Sequence, residues 1–232
     1  VVEPGAAENV QFLCSGYWLD LVRGAFVQTR HDDPDHMHIE RSMMNLDHVH
    51  DGTRVRVIHG ALESTAAEVL VTAVTPELQP ATLGSRAVFS SAGPALEEAC
   101  AAWLAEHGEG RPGRCVSTEG FALDSVSLVH AVVSPWIDGQ KSEYVDLERA
   151  HDSALRAAVA LGATTVAMPA LAAAAGAFPA NRASFVAFNA IFRFAMENPG
   201  KVETVTVVLT DDDDAEAYAE AFAKVVRTML GT

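Results

Sequence analysis

From residue 54 onward, short apolar runs alternate with stretches in which apolar residues recur every third or fourth position. Residues 55–59, 68–74, 115–122, 125–133, 164–168 and 202–209 are β-branched or apolar and read as strands. Residues 94–107 place Leu96, Ala99, Cys100, Trp103 and Leu104 on one face with acids opposite, the spacing of an amphipathic helix. Residues 146–161, closed by Gly162, read as a second helix, and 182–196 and 214–229 as two more. This alternation predicts a layered α/β domain with a parallel or mixed sheet. The run at 125–133 is apolar enough for a central strand covered on both faces.

Residues 1–52 have a different texture. A short strand fits 9–13, but 17–27 mixes aromatic and apolar residues without a clean period, and 30–52 is rich in histidine and aspartate. The chain therefore divides into an N-terminal extension, 1–52, and a domain, 53–232.

Charge narrows the function. The net charge of −15 excludes non-specific binding to a nucleic-acid backbone, which needs a basic surface. A local site for a small anion remains compatible with it. No apolar run reaches 18 residues, so no membrane-spanning helix is expected. The three cysteines, Cys14, Cys100 and Cys115, lack metal-type spacing and read as reduced thiols of an intracellular, cytoplasmic protein.

The stretch 166–179 runs from an apolar strand through a loop of small residues to a proline, with a helix beyond. In α/β sheets, ligands lie in the crevice beyond the carboxyl ends of the strands, facing backbone N–H groups and helix N-termini. The same pattern also suits a plain strand-to-helix connection.

Several stretches together resemble a macrodomain, the ADP-ribose-binding α/β/α fold, over about residues 55–223. Ser91-Ala92-Gly93-Pro94-Ala95-Leu96 is similar to the segment after that family's glycine-rich first loop. Thr118-Glu119-Gly120-Phe121-Ala122-Leu123 resembles its "Thr-x-Gly-aromatic-x-Leu", and Val129-His130-Ala131-Val132-Val133-Ser134-Pro135-Trp136 its "Ile-His-Ala-Val-Gly-Pro" strand. Met168-Pro169-Ala170-Leu171, with Phe178-Pro179, resembles its second ligand loop. The resemblance implies a three-layer α/β/α sandwich with a mixed sheet, preceded by the extension.

It also implies a site, with substitutions in it. The family's "Gly-Asp-Ile", whose acid meets adenine, reads Gly60-Ala61-Leu62 here. Its "Asn-Ala-Ala-Asn" becomes Thr72-Ala73-Val74-Thr75, and the acid of hydrolytic members falls at or near Ser85. The second loop carries Ala172, Ala173, Ala174, Ala175, Gly176, Ala177 and Phe178. With Leu62, Thr75, Gly84, Ser85 and Arg86, these are the candidate ligand-binding residues. Arg86 has two readings, a partner for a phosphate or a plug in the cleft. No acid or amide stands where the resemblance implies catalysis, so no catalytic residue and no cofactor are expected. The expected role is a binding module for ADP-ribose or a related nucleotide. The alternative is a scaffold without a pocket that meets a protein partner through the extension, and an ADP-ribosyl hydrolase ranks below both. An open cleft would favour the first, and one filled by Arg86 or Leu83 the second.

Asp35-His36-Met37-His38 and Asp47-His48-Val49-His50 repeat one pattern. On a strand, His-x-His turns both imidazoles to one face, so His36, His38, His48 and His50 are candidate metal ligands. A solvated extension with unpaired histidines is the other reading. The acids at 211–214 fit the start of a helix, and His130, in an apolar strand, reads as a hydrogen-bonded core residue.

Overall fold

The computed structural model describes residues 45–123, 127–140, 142–172, 178–210 and 214–230, together with the backbone of three earlier strands. Those three, β1 (Gln11–Cys14), β2 (Tyr17–Val22) and β3 (Ala25–Thr29), form a small antiparallel sheet of their own.

The main sheet has seven strands. In chain order they are β4 (Asn45–His50), β5 (Thr53–His59), β6 (Val69–Val74), β7 (Cys115–Glu119), β8 (Ser127–Val132), β9 (Thr165–Pro169) and β10 (Thr204–Leu209). Their spatial order is β4-β5-β10-β9-β6-β8-β7. The inner pairs are parallel, and the edge strands β4 and β7 run antiparallel to β5 and β8. The sheet is thus mixed, as expected. Six residues of the segment read as an extension, Asn45–His50, are its edge strand, joined to β5 by a turn in which Asp51 and Gly52 have φ of 48° and 84°.

Among the described residues, five helices cover the sheet: α1 (Leu83–Ala92), α2 (Pro94–His107), α3 (Glu143–Ala160), α4 (Ala180–Glu197) and α5 (Ala215–Leu230). Successive side chains of a strand point to opposite faces, and here both faces are apolar. Leu70, Val74, Leu128 and Val132 meet Val88, Phe89 and Leu96 of α1 and α2. Val69, Val71, Val129, Val205 and Val207 meet Leu155, Phe188, Ile191 and Phe222 of α3, α4 and α5. The result is the three-layer α/β/α sandwich. Each fully buried Leu or Phe contributes roughly 1.5–3 kcal/mol.

Helix α1 was not anticipated from the sequence. Thr82 caps its start by accepting the Ser85 N–H at 3.0 Å, and Gly93, at φ 83°, ends it and hands the chain to Pro94 at the first turn of α2. Among the described residues, no helix is long and apolar enough to cross a membrane. Cys100 and Cys115 are free thiols, and burial pushes both above the ordinary thiol range.

Candidate functional site

The parallel strands end together. Gly60 follows β5, Thr75 follows β6, Ala170 follows β9 and Thr210 follows β10, so the segments singled out in the sequence share one edge of the sheet. That edge is the crevice position of α/β folds.

On one side of it, residues 60–64 turn through a short 3-10 segment, Leu62–Ser64. Ala61 is exposed, whereas Leu62 is fully buried. A Cβ added to Gly84 would stand 3.5 Å from Leu62 Cβ and 3.5 Å from Thr210 Cγ2, ordinary van der Waals contact. Gly84 therefore marks a close approach of α1 to this turn, and its helical backbone does not itself demand glycine.

The loop from β6 into α1 is tied by its own backbone. Thr75 N–H donates to Gln79 O at 2.9 Å, Leu78 N–H to Thr75 O at 2.9 Å, and Ala81 N–H to Ala73 O at 2.8 Å. Leu78 takes a positive φ of 55° at the tight turn and is fully buried. The Thr75 hydroxyl hydrogen-bonds the Glu77 carboxylate and holds it below the usual carboxylate range.

Ser85 is fully buried. Its Oγ accepts the Ala73 N–H at 2.9 Å and lies 2.6 Å from Thr82 Oγ1. The hydroxyl thus joins the end of β6 to the first turn of α1. Ser85 and Leu62, both anticipated as ligand contacts, present no surface to a ligand in this structure. Leu83 and Arg86 are exposed, Leu83 by 54%, so neither plugs a buried cleft. The first turn of α1 leaves the N–H groups of Leu83 and Gly84 without intrahelical partners at the crevice.

Across the crevice, Ala170, Leu171 and Ala172 are buried, and Ala173–Ala177 of the candidate list lie outside the described residues. The loop ends at Phe178, whose ring packs on Trp136 and Tyr144 with centroids 4.5 and 5.4 Å away. Trp136 lies over Gly139, where a Cβ would fall 2.3 Å from Trp136 Cη2 and where φ is 72°. N–H groups of Glu143 itself, Asp138, Ile137 and Gly139 surround the Glu143 carboxylate and hold it below its usual range. Asp146 accepts from Ser134 at 3.1 Å and from Ser142 at 2.6 Å. Residues 134–140 and 142–146 thus form an organised wall of the site; the sequence reading reached Ser134–Trp136 only as the end of a family-like strand and named none of the wall as site residues. The legible signal was Trp136 followed three residues later by Gly139.

The chain matches the family model of the Macro domain over residues 71–187. It is 32% identical over 165 residues to an O-acetyl-ADP-ribose deacetylase of Enterobacter cloacae, covering 71% of this chain and 91% of that protein. The chain belongs to the Macro domain family. A deacetylase of the same name from Escherichia coli K12 is 30% identical, over 72% of this chain and 93% of that protein. The Oceanobacillus iheyensis macrodomain, solved with ADP, superposes with a TM-score of 0.74 at 23% identity, covering 79% of this chain and 97% of that one. The matched span takes in the β6–α1 loop, the Trp136–Tyr144 wall and the second loop of this macrodomain, while Leu62 lies before it.

The histidine pairs divide differently. His48 and His50 do share a face of β4, with ring centroids 6.2 Å apart, and each meets the edge of Phe192 at 6.0 Å. Burial and the neighbouring His50 lower the pKa of His48, and its buried Nε2 has no hydrogen-bond partner among the described residues. His36 and His38 lie outside the described residues, and no group of three or more metal-ligating side chains occurs among the described ones.

Gly84 yields a two-sided test. Gly84→Ala is expected to raise folding stability by about 0.4–1 kcal/mol, because alanine restricts the unfolded chain, tolerates the helical backbone of this first turn, and has space for its methyl. If a ligand approaches the α1 N-terminus, the same methyl is expected to weaken binding. Urea melts and ligand titration of this one variant separate the two effects.

Proposed function

We propose that this macrodomain binds ADP-ribose, or a closely related nucleoside diphosphate, at the C-terminal edge of its sheet and does not hydrolyse it. Supporting the ligand are the names of its relatives, the ADP in the Oceanobacillus structure, the N–H groups at the start of α1 that have no intrahelical partner, and Arg86. Arg86 is exposed, and among the described residues its guanidinium makes no hydrogen bond or ion pair. A diphosphate at the α1 N-terminus gains from helix dipole and backbone donors together, and Arg86 is the cation at hand to pair with it.

The observation that carries the non-catalytic part is Ser85. The resemblance puts the acid of hydrolytic members at or near Ser85, where no acid stands, and the Ser85 hydroxyl is spent inside the fold on Ala73 and Thr82. General acid–base chemistry needs a group within hydrogen-bond reach of the reacting proton, and a buried, engaged serine hydroxyl does not reach out. Affinity is also reduced. Ala61 replaces an acceptor worth about 1.5–3 kcal/mol, which is roughly one to two decades.

A second reading is deacetylation of O-acetyl-ADP-ribose, favoured by the two deacetylases at 30–32% identity. Titration with ADP-ribose, followed by incubation with O-acetyl-ADP-ribose and measurement of released acetate, distinguishes the two. Binding without acetate above the uncatalysed rate supports the proposal. Multiple turnovers overturn its non-catalytic half.

A further inference from the structure

Between α4, α5 and the first turn of α3 lies a groove of about 480 Å³, walled by Tyr144 and Phe185 and rimmed by Arg182, Lys224, Arg227 and Glu220. The chain carries 31 acidic residues against 16 basic ones, so three cations to one acid reverses the composition at this spot. Arg54, Arg149, Arg156 and Arg193 have carboxylate partners, whereas Arg56, Arg86, Arg111, Arg114 and Lys201 are scattered cations that form no ion pair among the described residues, so what sets the groove apart is three cations lining one hollow. Among the described residues, the three groove cations form no ion pair, and Glu220, one turn before Lys224, makes none with it.

These cations are held by other means. Arg182 donates to the Tyr144 hydroxyl at 2.7 Å, with its guanidinium 6.0 Å from that ring's centroid. The Lys224 ammonium stands 4.9 Å from the Phe185 centroid, and Arg227 Nε donates to Ala223 O at 3.3 Å. Aromatic faces attract cations without neutralising them, so the charges stay available while their side chains are partly ordered in advance.

Their arrangement points to a ligand class. Lys224 and Arg227 are separated by about 4.5 Å of helix rise, as are Arg182 and Phe185 on α4. Arg182 is held at Tyr144 and Lys224 at Phe185, so the charges are anchored at separate points and suit a ligand with more than one negative group. An extended peptide repeats same-face side chains about every 7 Å, which suits carboxylates meeting successive cations while aliphatic parts lie on Tyr144 and Phe185. We infer that this groove is a docking site for an extended, acidic segment of a partner protein. Tyr144 also packs on Phe178 and Trp136, so the groove flanks the crevice without occupying it.

The test uses the full chain and a fluorescein-labelled octapeptide alternating glutamate and valine, followed by fluorescence anisotropy at low salt. The expected result is saturable binding that weakens roughly tenfold or more when salt is raised to about 0.3 M. An Arg182→Glu/Lys224→Glu variant should also bind roughly tenfold more weakly or worse, with Arg227→Glu as a single-site check should the double variant fail to fold. Lys201→Glu, an exposed cation on the turn after α4, should bind as the parent does. Three results would each overturn the inference. One is equal binding of the glutamine-for-glutamate peptide, another is unchanged binding by the charge-reversed variants, and the third is displacement of the peptide by equimolar inorganic pyrophosphate. Saturating ADP-ribose should leave the peptide bound; displacement by it would move the site into the crevice and equally overturn the inference.

Discussion

Lowering the pH from 7 to 5 is expected to remove roughly 4 kcal/mol of folding stability, about 2 kcal/mol for each of two buried histidines. His130 and His151 are fully buried, and burial pushes each pKa down to about 4. His130 sits between two hydroxyls, Thr72 Oγ1 at 2.7 Å from Nδ1 and Thr118 Oγ1 at 2.9 Å from Nε2, with Phe89 edge-on at 5.5 Å. A neutral imidazole donates at one nitrogen and accepts at the other, so two hydroxyls satisfy it. His151 donates from Nδ1 to Leu147 O at 2.8 Å within α3. In the unfolded chain both rings titrate near 6.5. Between 6.5 and about 4, the unfolded state binds protons that the folded state refuses. Stability is therefore complete above 6.5 and falls as the pH drops through that window. Stopping at pH 5 keeps most carboxylate titration out of the comparison. Urea midpoints at pH 7 and 5 check it, and His151→Gln, which keeps a donor for Leu147 O, should show about half the fall. A flat profile from pH 7 to 5 would show that the rings are not buried as described.

The second large effect is at Ser85. Ser85→Ala is expected to cost about 1–3 kcal/mol, because it strands the buried Ala73 N–H and removes the partner of the Thr82 hydroxyl. Thr82 still accepts the residue-85 N–H, so the cap of α1 survives. Affinity for ADP-ribose should change by no more than about twofold, since the hydroxyl faces the fold and a twofold change is under half a kcal/mol. Denaturant melts and a binding titration of the same protein provide both numbers. Undiminished stability with a large loss of affinity would mean that Ser85 faces the ligand after all.

The layered fold was legible because both of its periodicities are strong. Residues 69–74 and 204–209 are apolar on alternate faces of a doubly covered sheet, and α3, α4 and α5 each show a helical stripe. Besides β2 and β3 of the small sheet, where 17–27 shows no clean period, two elements of the layered unit escaped. Helix α1 lies between Pro80 and Gly93, and its first-turn glycine and paired serines gave it the look of a loop, although Thr82 and Gly93 bracket it as caps. Strand β4 was hidden among histidines and aspartates, because an edge strand keeps one face in water and needs no apolar run.

The site was legible as a place but not as a set of contacts. Sequence order put Thr75, Gly84, Ser85 and Arg86 at one sheet edge, and the chain does bring them there. It did not say that the Ser85 hydroxyl turns inward, since a small polar side chain at a helix start serves equally as a cap partner or as a ligand contact. Nor did spacing reveal that Trp136, Tyr144 and Phe178 meet. Their contact depends on the course of the loop after β8, which Gly139 and the Glu143 carboxylate set.

Calorimetric titration of the full chain with ADP-ribose, with AMP as the control, tests the central claim most directly. The account predicts saturable binding of one ADP-ribose near or below about 100 μM, roughly −5.5 kcal/mol, with AMP weaker because it lacks the diphosphate that meets α1 and Arg86. Absence of heat at millimolar ADP-ribose, on the order of −4 kcal/mol or weaker, would contradict it and leave the crevice without its proposed ligand.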